Sequence, residues 1–439
     1  MRMDRFVYLL LLLGSSGLAL AAEPESPFVM PDFDASSGFD AASGMEPEKT
    51  QTVDPSPWRN TLAYDRGWVS SDGSVNVNRL SWRVQWEGLL SENNYLVLDS
   101  KARLFAVDDQ QNSLTGGMEP ELKLNALYLQ RSLTSSSLQV GYQVVSLGMM
   151  DMLGLNNVLT PTDYSEAAFT SPEDARIGQP IIAWSYFARQ GQWDIYLNLG
   201  PDSNRYIAGT EEALLTQILG SSNFHLTNEL PDLFEQTETV LRRSWSSGAH
   251  EHQWLLASLL QNDPEILAVN LALPTPEYTT HYPRYSMFGY GHSYTSGNHQ
   301  FKQELGIKQG IKPIDALGEK LDQYELGLGW EYSANGSYTL AIEGSYSVRV
   351  LAPAAPAGIE KNLQQLTARW SKSFLHDALN TTLYVALGRP GDIRTSAVSL
   401  NYSPRDNWFI ELIATEISSQ ISTVGLLPSS TSLRLSYLW

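Results

Sequence analysis

The chain of 439 residues contains no cysteine. That single absence removes disulfide frameworks, thiol nucleophiles, thiolate metal sites and a lipoprotein anchor. Beyond the N-terminal segment there is also no run of about 18 apolar residues, so no helix can cross a bilayer. Charge is scarce, at 18% of residues, and its balance is acidic, with a formal net charge of −19; a nucleic acid is therefore not an expected partner. No repeat of fixed period marks a solenoid or propeller. G-x-S-x-G and H-E-x-x-H are missing, which leaves an enzyme reading without a motif. Of the seven histidines, His250 and His252 share a strand face without a third ligand in view, and no loop has an EF-hand spacing, so neither metal nor cofactor is expected.

What is present is aromatic and glycine-rich: 21 Tyr, 12 Trp, 13 Phe and 32 Gly. Residues 1–21 read as a secretory signal peptide, with Arg2 and Arg5 before an apolar stretch from Phe6 to Leu13 and a small-x-small site at Ala19-Leu20-Ala21. Residues 22–55 are acidic and rich in Ser, Gly and Pro, with the near-duplicates FDASSG and FDAASG. Such a segment cannot bury enough apolar surface to fold and reads as a disordered periplasmic tail, too short to plug a barrel.

From residue 56 to 439 the pattern is alternation. LDQYELGLGWEY places Tyr324, Leu326, Leu328, Trp330 and Tyr332 on one face and Gln323, Glu325, Gly327, Gly329 and Glu331 on the other. Segments of this kind recur, joined alternately by short turns and by long connections near 148–179, 201–236, 262–282 and 351–362. The fold class predicted is all-β: a transmembrane antiparallel up-and-down β-barrel of about 16 to 18 strands, with short periplasmic turns and long extracellular loops. The final LRLSYLW puts Leu433, Leu435, Tyr437 and Trp439 toward lipid, with the indole at the interface. This terminal aromatic strand resembles the signal read by the barrel-assembly machinery.

The same alternation assigns the interior, which is predicted to be wet. Inward positions are Arg79, Arg83, Lys101, Arg103, Lys123, Lys302, Lys308, Arg349, Arg369 and Arg434, ten basic residues, against six acids, Asp99, Glu304, Glu325, Glu331, Glu343 and Glu411. Arg79, Arg83, Lys101, Arg103, Arg349, Arg369 and Arg434 are the candidate solute-contacting residues. Two readings stay open: these charges select anions, or they pair across strands and simply hold a wet interior. The acid excess is assigned to the tail and the long loops, including Asp151 and Asp163. Thr210–Leu219 reads as a loop helix capped by Thr210, either folded into the barrel as a constriction or lying over its rim.

LQVGYQVVSLGMMDMLGLNNVLTPTDYSEAAFTSPED, residues 138–174, loosely resembles a segment of Gram-negative outer-membrane barrels that include the alginate-export-type porins. Gly141, Gln143 and Gly148 match, whereas Tyr142 and Leu147 depart from the Arg and Trp usual there. The resemblance implies an outer-membrane channel for passive diffusion or export of small or polymeric, anionic solutes. Outer-membrane lipid, lipopolysaccharide and the barrel-assembly machinery are the expected partners of such a barrel, which is expected as a monomer or a homotrimer. The rival is a non-conducting barrel serving adhesion or assembly through acidic loops.

Overall fold

A computed structural model describes residues 57–114, 116–164, 175–205, 223–228, 236–270, 275–313, 319–334, 337–351, 361–418 and 428–439. The segments read as a signal peptide and a periplasmic tail, and the stretch Thr210–Leu219 expected to be helical, lie outside the described residues.

Among the described residues twenty-one strands form. The first seven are β1 (Trp58–Val69), β2 (Val75–Ser91), β3 (Asn94–Phe105), β4 (Glu119–Ser132), β5 (Ser136–Gln143), β6 (Gln179–Ala188) and β7 (Gly191–Asn198). Then follow β8 (His225–Asn228), β9 (Glu238–Ser247), β10 (His250–Leu260), β11 (Glu265–Asn270), β12 (Glu277–His281), β13 (Arg284–Ser296) and β14 (His299–Ile311). The last are β15 (Leu321–Ala334), β16 (Tyr338–Val350), β17 (Asn362–Phe374), β18 (Leu379–Arg389), β19 (Ile393–Arg405), β20 (Trp408–Ser418) and β21 (Ser430–Leu438).

Eighteen of them make one sheet, and β21 pairs antiparallel with β1, so the sheet closes on itself. Closure leaves no edge, which is the condition for a sheet to survive in hydrocarbon. The seam pairs Thr61–Val69 with Ser430–Leu438, and two further backbone bonds extend it, Asn60 N–H to the Trp439 carbonyl at 3.1 Å and Trp439 N–H to the Asn60 carbonyl at 3.0 Å. β8, β11 and β12 form a separate three-stranded sheet in the connections leaving β7 and β10.

At one rim the hairpins are tight. Gly248 and Gly297 sit there at φ 63° and 58°, the left-handed backbone that two-residue hairpins require and that a Cβ resists. Most connections at the other rim are longer, and the longest described in part are 144–178, 199–237 and 261–283.

Exposure alternates along the strands. On β15, Tyr324, Leu326 and Leu328 are 44%, 42% and 53% exposed, whereas Gln323 and Glu325 are 7%. Apolar out and polar in is the inverse of a soluble fold and suits a lipid solvent. Rings gather at the tight-turn rim: Trp58 contacts Trp86 at 6.2 Å, Trp408 contacts Tyr437 at 5.0 Å, and Tyr437 stacks on Trp439 at 5.8 Å. Indoles and phenols with one wet and one greasy side settle at such an interface.

Candidate functional site

The connection from β5 to β6 does not stay outside. Its backbone enters the lumen and docks on the inner wall of β13–β16, held by two carboxylates that point inward from that wall. Glu304 accepts from the Met149, Met150 and Asn156 amides, the latter two at 2.9 and 3.0 Å. Glu343 accepts from Asp151 at 2.8 Å, Met152 at 2.9 Å and Leu153 at 2.8 Å. Both carboxylates are almost fully buried, and burying a carboxylate is tolerable only with such donors around it. Lys302 adds an ion pair to Asp151 at 2.6 Å.

Glycines on the wall admit the loop. A Cβ on Gly289 would stand 2.5 Å from Asn156 Oδ1, on Gly291 2.8 Å from Met149 Cγ, and on Gly327 2.5 Å from Met150 Sδ. Within the loop, Asn157 Oδ1 accepts from the Leu147 and Gly148 amides at 2.7 and 2.6 Å. Behind it Val145, Leu147, Val158 and Leu159 pack on Ile181, Val240, Leu255, Leu259, Tyr285 and Met287 in one apolar cluster. The interior predicted to be wet is therefore dry on this side, because the loop carries its own core into the barrel.

At the loop's far end Asp163 is buried among cations. Lys123 Nζ lies 3.3 Å away, Arg205 3.8 Å and Arg103 3.9 Å. Glu121 also pairs with Arg103 and Arg205. Burial acts to lower the pKa of Arg205, but Glu121 and then Asp163 outweigh it and hold the value above the ordinary one. The guanidinium stays charged.

The rest of the wall, from β16 through β21 and across the closure to β3, carries the candidate residues. Arg83 is bidentate to Asp99 at 2.9 and 2.5 Å. Arg79 meets Asp109 at 3.2 Å, and the guanidinium groups of Arg79 and Arg103 lie 5.2 and 5.3 Å from the Phe105 ring centre. Arg434 bridges Asp65 at 2.5 Å and Glu411 at 3.5 Å. Lys101 stands in register between Arg83 and Lys123. Arg349 donates to Gln323 at 3.1 Å, and Arg369 faces Tyr384 across the β17–β18 pair.

All seven candidate positions are on the inner wall, but the expected basic excess is not. Asp65, Glu121 and Asp194 also face inward, and Asp109, Asp151 and Asp163 reach in from connections. Asp151 and Asp163, assigned by sequence to solvated loops, are thus lumen residues. Arg242, paired with Asp194 at 2.9 Å, was missed among the inward cations. His292 is a third imidazole beside His250 and His252, with His250 Nδ1 3.0 Å from His292 Nε2; among the described residues no group has the geometry to hold a metal. Leu433, Leu435 and Tyr437, expected from sequence to face lipid, lie on the outer face of β21, and Trp439 lies just past its end.

No family model matches the sequence, and no curated protein does. Solved structures match. OpdK from Pseudomonas aeruginosa, solved with vanillate, has a TM-score of 0.54 at 10% identity, covering 87% of this chain and 98% of that one. OccK11 (OpdR) from the same organism gives 0.52 at 9% identity, with 87% and 95% covered. OccAB3 from Acinetobacter baumannii gives 0.50 at 12% identity, with 87% and 98% covered. At such identity the likeness is one of fold: the chain has the architecture of Gram-negative outer-membrane β-barrels. Likeness to the alginate-export-type barrels is not shown by these matches.

Proposed function

We propose that the chain is a porin-like channel of the Gram-negative outer membrane, passing small anionic solutes by diffusion along the arginine-bearing wall of its lumen. The observation that carries the anionic part is the layering of the ion pairs. In pair after pair the cation is the member nearer water: Arg83 is 28% exposed against 13% for Asp99, Arg434 27% against 7% for Asp65, and Lys308 18% against 5% for Glu325. The order reverses at Lys302 with Asp151 and Glu331, where the loop docks, and at Arg103 with Glu121, so the layer is carried by Arg83, Arg434 and Lys308 and not by the buried Arg79 and Arg103. A solute in the open part of the lumen therefore meets guanidinium and ammonium edges with their counter-charges behind them. A narrow passage with low-dielectric walls focuses that field.

Small solutes fit better than a polymer, because part of the β5–β6 connection docks inside the lumen. The vanillate in the Pseudomonas neighbour is a small aromatic carboxylate, and that class of solute suits this wall. Planar-bilayer recording of the purified protein in a salt gradient tests both parts. An ohmic current with a reversal potential favouring anions is expected. Absence of current removes the channel, and a cation-favouring potential removes the anion preference.

A further inference from the structure

Residues directly opposed on neighbouring antiparallel strands form rows that cross a sheet at right angles to the strands. One such row on the lipid face runs Gln303, Leu328, Gly344, Leu366, Leu387 and Arg394, from β14 to β19. Its centre is Gly344, which has no side chain to fill the sheet surface. Trp330 and Ile342 form the ridge on one side, Leu326 and Tyr346 the ridge on the other. Between them lies a groove of ≈ 1080 Å³ on the outside of the barrel.

The dimensions of this groove suit one leaflet. Strands stand about 4.8 Å apart, so five steps from β14 to β19 span about 24 Å. With strands tilted about 40° from the barrel axis, the row inclines about 50° and rises about 15 Å. That is half of the ~30 Å hydrocarbon thickness. The upper end is at the long-loop rim, where Arg394 and, in the flanking row, Arg389 face outward. Arg389 meets Asp392 at 3.3 Å yet its side chain stays 73% exposed. Among the described residues Arg394 has no acidic partner.

We propose that this groove binds a phosphorylated, acylated glycolipid of the outer leaflet, one acyl chain lying along the Gly344 row and a headgroup phosphate meeting Arg389 and Arg394. An apolar slot one leaflet deep, capped by two guanidinium groups at headgroup level, complements an amphiphile with phosphate above hydrocarbon. A second copy of the chain is the weaker occupant. It would bury Arg394 at an apolar contact, which demands a counter-charge, and the lipid brings that charge with it. The proposal stands independently of what crosses the lumen.

Native mass spectrometry of the full chain, loaded with bis-phosphorylated lipid A, tests it. The wild type is expected to retain lipid A through detergent removal, and to retain the dephosphorylated form at least tenfold less. Arg389→Glu with Arg394→Glu should lower the retained fraction at least tenfold. Gly344→Phe should do the same by filling the slot; a Cβ there meets nothing nearer than 3.7 Å, so the barrel accommodates it. Both variants should keep wild-type conductance, which separates this outcome from any failure of the channel reading. Retention unchanged in both variants overturns the proposal. So does equal retention of the dephosphorylated lipid, or conversion of an oligomer to monomers by Gly344→Phe, which would make the groove a subunit contact.

Discussion

Replacing the two clamp carboxylates with amides should free the lumen loop without disturbing the barrel. Glu304 and Glu343 each hold three backbone donors, two on one oxygen and one on the other. Glutamine keeps the shape but only one accepting oxygen. Each substitution therefore preserves two bonds, loses one, and turns an NH₂ group against a backbone N–H. A lost hydrogen bond to a charged group is worth about 1.5–3 kcal/mol, and the surviving bonds weaken with loss of the charge. About 2–3 kcal/mol per site gives about 4–6 kcal/mol for Glu304→Gln with Glu343→Gln. At about 1.4 kcal/mol per factor of ten, the undocked population rises roughly 10³- to 10⁴-fold. The cysteine-free sequence provides the assay. Met150 is 2% exposed under the docked loop, so a Met150→Cys thiol reacts with a membrane-impermeant reagent only when the loop opens, at a rate tracking the open population. A labelling rate within threefold of the parent, in a barrel that still shows heat-modifiable mobility, would refute the clamp.

Gly327→Val should also displace the loop, by about 1–3 kcal/mol of overpacking against Met150, visible as conductance noise in single-channel records. Arg83→Glu with Arg434→Glu should move the reversal potential toward cations, since it inverts the water-facing layer of two ion pairs; an unmoved potential would put the solute path elsewhere. Arg434→Ala leaves Asp65 facing the lumen beside the β1–β21 seam without its partner. After discounting for partial exposure, the expected loss is about 1–3 kcal/mol, read as a lower unfolding temperature. Trp439→Ala should lower the yield of membrane-inserted barrel in cells while leaving conductance of the inserted fraction unchanged.

The barrel was legible because lipid outside and water inside impose a period of two on every strand: β15 could be assigned face by face from its alternation. The loop was not, since a polar stretch containing Asp151 and Asp163 reads like any solvated connection. Yet a signal for it was in the register. Glu304 has Gly291 and Gly327 as its cross-strand neighbours, and Glu343 has Gly329 and Thr367. An inward carboxylate between glycines has no cation across the strand to meet it, and the bare backbone beside it leaves room for another chain segment. Arg79, Arg83, Arg103 and Arg434 each meet a carboxylate on the inner side of the wall. Of their acidic partners, Asp65 and Glu121 lie on strands β1 and β4 and were within reach of the alternation, whereas Asp109 and Asp163 come from connections whose paths alternation does not encode. The β8–β12 pairing, parallel and between two different connections, had no local signal at all.

The docked loop also has a mechanical meaning. A ring of eighteen strands has no internal resistance to flattening: lateral pressure from the bilayer can press it into an ellipse at little cost in hydrogen bonds. The segment that leaves β5 and is gripped by Glu304 on β14 and Glu343 on β16 is a tie-rod drawn across that ring. It fixes one chord of the cross-section, so the aperture is governed by the length of that tie as well as by the number of strands.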